Sequence, residues 1–135
     1  TVFLSVNRRD KFKMGTLGKD LVDLGFKLLA TSGTAAQLRA DGLEVQEIFK
    51  VGEGRPNIVD EIVNGNVQWI INTPLGAESK YDERAIRRSA IEQGLPIMTT
   101  LAAAKAAVQG LRAMRGAPAF NVLSIQEYHG AKRNG

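Results

Sequence analysis

KLLATSGTAAQLRADGLEVQEIF, residues 27–49, holds one complete unit of the fold. A β-prone run, Lys27 to Thr31, passes through two hydroxyls and a glycine into a helical stretch. Gly42 ends that stretch, and a second β-prone run, Val45 to Phe49, follows at once. Two strands joined by one helix with connections this short indicate a parallel pair, because the helix carries the chain back to the end where the first strand began. The crossover is then right-handed.

The same rhythm extends in both directions. Further β-prone runs lie at Val2 to Val6, Trp69 to Asn72 and Ile97 to Thr100. Between them apolar residues recur at helical spacing, as in Met14, Leu17, Leu21 and Leu24, or Leu101, Ala104, Val108 and Leu111. Gly25, Gly42, Gly65 and Gly94 each follow such a stretch, where a left-handed C-terminal cap favours a residue without Cβ. The pattern predicts a three-layer α/β domain of Rossmann-like type, a five-stranded parallel sheet with helices on both faces. At 135 residues it forms one domain, 1–135, whose last stretch from about 116 to 135 breaks the rhythm and is expected to wrap back over the body.

Composition narrows the function classes. No cysteine is present, so disulfides, thiolate metal sites and a cysteine nucleophile are excluded. No apolar run reaches the roughly eighteen residues that cross a bilayer, and no membrane partner is expected. The net charge of +4 is spread among 14 acidic residues, and the basic runs Arg8-Arg9-Asp10-Lys11 and Arg84 to Arg88 are interrupted, which argues against a nucleic-acid footprint. The chain enters its first strand almost at once and without methionine, the expectation for a domain cut from a longer protein.

In open parallel sheets ligands bind beyond the carboxyl ends of the strands. Polar residues collect at those ends: Ser5, Asn7 and Lys11 after the first strand, Thr31-Ser32-Gly33-Thr34 after the second, Lys50 after the third, Asn72-Thr73 after the fourth and Thr99-Thr100 after the fifth. The hydroxyl and glycine segment opening a helix suits a phosphate, or else merely caps that helix. Lys11 and Lys50 add point charges on the same edge. The glycine-rich loop Lys50 to Pro56 reads equally as a ligand lid or an ordinary turn. Asp60 and Glu61 are expected to be solvated acids opposite Ile58, Ile62 and Val63, Trp69 to be a core residue, and His129 to lack triad partners. No dinucleotide, P-loop or metal-ligand spacing occurs.

Several segments, in order, resemble the methylglyoxal-synthase-like domain: Thr31-Ser32-Gly33-Thr34-Ala35, Lys50 through Asp60, Ile70-Ile71-Asn72-Thr73-Pro74, Ile86-Arg87-Arg88-Ser89-Ala90 and Thr99-Thr100-Leu101. The Glu53 to Pro56 loop and the Asn72 to Pro74 turn are more narrowly similar to the C-terminal regulatory domain of the carbamoyl-phosphate synthetase large chain, as is the ending Ser124-Ile125-Gln126-Glu127. The resemblance implies strand order 3-2-1-4-5 and an edge that receives uridine or inosine monophosphate at Ser5, Lys11, Thr31, Thr34, Lys50, Asn72 and Thr73, to which the hydroxyl and glycine segment adds Ser32 and Gly33 at the phosphate. It implies no catalytic residue, metal or cofactor in this domain. The parent enzyme, a cytoplasmic ligase, makes carbamoyl phosphate from bicarbonate, a glutamine-derived ammonia source and ATP with magnesium or manganese, for arginine and pyrimidine synthesis. The rest of the large chain and the small glutaminase chain would be partners.

Departures from the family pattern carry information. Some nucleotide-regulated members have a threonine where this chain has Pro74, which offers neither hydroxyl nor N–H. Some ornithine-activated members have a tyrosine where this chain has Ile97. Methylglyoxal synthase, the enzymatic alternative acting on dihydroxyacetone phosphate, carries a glycine-glycine-aspartate segment where this chain has Gly54-Arg55-Pro56, and an aspartate-containing turn in place of Asn72-Thr73-Pro74. A cyclohydrolase domain of purine synthesis would bring a basic, histidine-bearing loop after the third strand, which is absent here. An interaction module with an empty site is the remaining alternative.

Overall fold

The middle strand of the sheet is β1 (Val2–Val6), whose sequence is apolar on both faces, as a strand covered on both sides requires. In the computed structural model, which describes residues 1–73 and 80–114, β1 pairs in parallel with β2 (Leu28–Ala30) on one side and β4 (Trp69–Thr73) on the other. β3 (Gln46–Glu47) and β5 (Ile97–Met98) complete a five-stranded parallel sheet in the order β3-β2-β1-β4-β5. The order expected from the family resemblance holds, and the reversal of direction falls between β1 and β4.

Alternation along β1 sends its side chains into two cores. Val2, Leu4 and Val6 join Leu28, Ala30, Trp69 and Ile71 beneath α1 (Gly15–Asp23), α2 (Ser32–Ala40) and α5 (Leu101–Met114). Phe3, Leu29 and Ile70 face Ile58 and Ile62 of α3 (Ile58–Val63) and Ile86 and Ala90 of α4 (Lys80–Gln93). Each fully buried aliphatic side chain in these layers contributes about 1.5–3 kcal/mol. Trp69, only 2% exposed, meets Phe26 edge-on with centroids 5.9 Å apart, so it is the core residue that its apolar neighbours foretold.

The four glycines expected to close helices all have positive φ, among them Gly25 at 95° and Gly42 at 86°. Gly18 serves a different purpose. A Cβ there would stand 2.7 Å from Leu38 and 2.8 Å from Leu43, so its missing side chain is what lets α1 approach α2 and the start of β3.

The strands differ from their sequence boundaries in ways that shape the edge. Lys27 stays outside β2, and Thr31 leaves that strand to become the N-cap of α2. β3 shrinks to two exposed residues because it is an edge strand with a neighbour on one side only. Thr99 and Thr100 leave β5, and the Thr100 hydroxyl accepts the N–H of Ala103 at 3.1 Å to cap α5. β4 runs one residue further, to Thr73. Val63 is 55% exposed and does not join the buried face with Ile58 and Ile62, since one further residue turns it about 100° away from Ile62. The tail from 116, Pro74 and His129 lie outside the described residues.

Candidate functional site

At the carboxyl edge, the register and the pleat sort the polar residues into two groups. Ser5 is paired with Asn72, and the Thr31 hydroxyl lies 3.5 Å from the Ser5 hydroxyl. Thr31 just past the end of β2, Ser5 on β1 and Asn72 on β4 therefore stand side by side, continuing the layer of Leu29, Phe3 and Ile70 toward the edge. Asn72 is only 7% exposed, and its side-chain amide has no hydrogen-bond partner among the described residues. Among the described residues the fully buried side-chain polar atom without a partner is Trp69 Nε1, so the Asn72 amide is not sealed in and reaches the open edge, where water or a ligand can meet it.

The second group is structural. The Thr34 hydroxyl, in a residue 1% exposed, accepts the N–H of Val6 at 3.0 Å and lies 3.5 Å from the Val6 carbonyl. The Thr73 hydroxyl accepts the N–H of Asn7 at 2.9 Å and its side-chain amide at 3.2 Å. Successive backbone N–H groups at the exit of β1 are thus taken by threonines from α2 on one side and β4 on the other.

The start of α2 is arranged differently from a capped helix. Thr31, the N-cap, is extended (φ −72°, ψ 162°), yet its side chain makes no capping bond; it turns to Ser5 instead. The first intrahelical bond runs from Ala35 N–H to Thr31 O at 2.8 Å, so the N–H groups of Ser32, Gly33 and Thr34 have no acceptor among the described residues. Lys11 sits in a short 3-10 turn, Lys11–Lys13, and its ammonium lies over this end: Nζ is 2.5 Å from where a Cβ on Gly33 would be. No carboxylate among the described residues pairs with that ammonium. Three free N–H groups, the positive end of a helix and an ammonium all converge where an oxyanion would answer each of them.

Lys50 follows β3 in an exposed position, its backbone N–H bonded to Glu53 Oε1 at 2.9 Å. No described bond links its ammonium to Lys11, Thr31 or Asn72. The glycine-rich loop beyond it is braced at Asp60, whose carboxylate accepts from Arg55 at 2.7 and 3.3 Å and from the Asn57 N–H at 2.9 Å. Asn57 in turn accepts the N–H groups of Val59 and Asp60, completing a capping box on α3. The Arg55 hydrogen bond, and after it that of Asn57, hold the Asp60 carboxyl below its ordinary range. Asp60 is thus an engaged brace, where the sequence suggested a solvated acid. Glu61 likewise accepts from the Asn66 amide at 2.9 Å.

Asn7 stands out among residues noted at the edge in the sequence but given no role there. Its amide bridges Thr73 and Asp10; the Asp10 half is a local contact three residues along the chain, while the Thr73 half has no signature in residue type or spacing because it depends on β4 lying beside β1.

Residues 13–99 match the family model described as the MGS-like domain. The chain belongs to the MGS-like domain family. Among curated relatives of this MGS-like chain, the carbamoyl phosphate synthase large chain of Synechocystis sp. is 47% identical over 131 residues, 96% of this chain and 12% of the relative. That of Acidobacterium capsulatum is 50% identical over 113 residues, 84% of this chain and 10% of the relative. A protein of Methanopyrus kandleri described as the C-terminal section of the carbamoyl phosphate synthase large chain is 47% identical over 116 residues, covering 85% and 21% respectively. The MGS-like chain therefore spans about a tenth to a fifth of the length of these relatives. Among the described residues no helix is long and apolar enough to cross a membrane.

Proposed function

We propose that this MGS-like domain is the effector-binding domain of a carbamoyl phosphate synthase large chain and that it binds a nucleoside monophosphate, uridine or inosine monophosphate, at the carboxyl edge of its sheet. The observation that carries the reading is the Lys11 ammonium standing over the uncapped start of α2, at the same sheet edge as the row Thr31, Ser5 and Asn72. The phosphate sits among Lys11, Ser32, Gly33 and Thr34, and the row Thr31, Ser5 and Asn72 offers hydroxyl and amide partners to the ribose. Lys50 approaches from the loop after β3, and Thr34 and Thr73 shape the site from beneath. The large-chain descriptions of the relatives favour a regulatory role over an independent enzyme.

Regulation follows if the effector binds two states of the large chain unequally, since equal affinity for both shifts nothing. The domain itself performs no chemistry and takes no cofactor; ATP and its magnesium or manganese are handled elsewhere in the large chain. The small glutaminase chain joins that chain in the cytoplasm.

The test is isothermal titration of the 135-residue chain with uridine monophosphate, inosine monophosphate, ornithine and dihydroxyacetone phosphate. Saturable nucleotide binding, weakened about tenfold to a hundredfold by Lys11→Ala, is expected from the loss of a charged hydrogen bond. Turnover of dihydroxyacetone phosphate without nucleotide binding would replace this reading with an enzymatic one. Binding of none of the four would leave an interaction module.

A further inference from the structure

We infer that Asn7 is a positioning residue of this site: it fixes the loop that carries Lys11 and leaves the Thr73 hydroxyl able only to donate. The inference rests on the phosphate-site reading for its ligand and on hydrogen-bond geometry for everything else. Every polar group of the Asn7 side chain is in use. Its amide nitrogen donates to Thr73 Oγ1 at 3.2 Å and to Asp10 Oδ2 at 2.9 Å, and its amide oxygen accepts the Asp10 N–H at 2.9 Å. Its backbone completes the attachment, with its N–H on Thr73 Oγ1 at 2.9 Å and its carbonyl accepting from Asp10 and Lys11 at 3.1 and 3.2 Å.

Two consequences follow from this arrangement. The turn leading to Lys11 is pinned to β4, on the far side of the switch point from α2, so the place of the Lys11 ammonium over Gly33 is set across the sheet. The Thr73 oxygen, accepting twice, has spent its acceptor capacity, and a hydroxyl has one proton left to give. Whatever meets it must be an acceptor, an oxygen of phosphate or of a hydroxyl or carbonyl, and an ammonium group is disfavoured there.

Asparagine is the residue this network needs, because the atom facing the Asp10 carboxylate must donate. Asn7→Asp sets two carboxylates against each other and turns the Thr73 hydroxyl from acceptor to donor in the side-chain bond, taking the proton it would offer a ligand. Combining it with Asp10→Asn restores an amide opposite a carboxylate and so restores the turn that carries Lys11, while the Thr73 proton stays committed to the new carboxylate. The experiment measures, in wild type, Asn7→Asp and the double variant, the affinity for inorganic phosphate and uridine monophosphate and the hydrogen-exchange protection of the Asp10 and Lys11 amides. Leu111→Ala, a core change on α5, serves as a variant that is destabilised without touching the loop.

The single variant is expected to bind both probes about tenfold more weakly and to lose protection at the two amides, with the double variant recovering the protection and, through the reseated Lys11, most of the affinity. Leu111→Ala should keep wild-type affinity. Unchanged protection and affinity in Asn7→Asp, or no recovery in the double variant, overturns the inference. If wild type binds neither probe, the phosphate-site reading falls by itself, and the exchange data alone decide whether Asn7 holds the loop.

Discussion

Thr34 and Asp60 are both short polar residues near the start of a helix, and their surroundings give them opposite sensitivities. Thr34 is sealed in, and its hydroxyl answers the N–H of Val6 at a point where β2 has already ended and offers no carbonyl. Thr34→Val keeps the shape and strands that donor, so equilibrium unfolding in urea should show a loss of about 1–3 kcal/mol, whereas Thr34→Ser should retain most of the stability. Equal losses in the two variants would mean that the methyl packing matters and the hydroxyl does not. Asp60 lies nearer the surface, and its pKa is lowered from the ordinary 3.8, first by Arg55 and then by Asn57. A carboxyl with a depressed folded pKa contributes stability that is present above the unfolded value and lost as pH falls through the folded one. Asp60→Asn should therefore melt below wild type at neutral pH, with the gap closing as the pH is taken down through the carboxylate range. A gap that stays constant across that range would show that charge on Asp60 contributes nothing.

At the scale of elements, the decisive contact is that of α1 with α2 through Gly18. On helix propensity alone, replacing a mid-helix glycine with alanine should stabilise by about 1 kcal/mol. Here the added methyl would press on buried Leu38 and on Leu43 at distances that real contacts do not show, and overpacking of a filled core costs about 1–3 kcal/mol. Gly18→Ala should accordingly be destabilised in thermal melts, and a gain would mean that the two leucines rotate away at no cost. The sequence disclosed the elements better than their ends. β1, the helices and the closing glycines follow from apolar period and backbone freedom, which are local properties. The extent of β3 depends on having a neighbour on one side only, and the exit of Thr31 from β2 depends on where α2 must start, which are properties of the assembled sheet. The site shows the same division. Lys11, Thr31 and Asn72 were legible as polar groups at strand ends, while the diversion of Thr34 and Thr73 to the exit of β1, and the part of Asn7, arise only when α2 and β4 flank that strand.

For the molecule as a whole, the two cores fix the edge rigidly enough that a bound anion should register as global stability. A ligand that binds the folded chain alone stabilises it by RT ln(1 + [L]/Kd), about 2.7 kcal/mol at a hundredfold excess over Kd. For a domain of this size that corresponds to a rise in Tm of roughly 10 °C. The net charge of +4 favours encounter with a dianionic phosphate, so the rise should shrink as salt is added. Lys11 contributes little to apo stability, since its ammonium has no carboxylate partner among the described residues and faces the positive end of α2. Lys11→Ala should thus melt within a few degrees of wild type without ligand and lose most of the nucleotide-induced rise, whereas Gly18→Ala should start lower and keep the rise in full. Differential scanning fluorimetry of the three chains against uridine and inosine monophosphate separates these cases. A rise of equal size in wild type and Lys11→Ala would place the phosphate away from the start of α2 and move the site to the loop that carries Lys50.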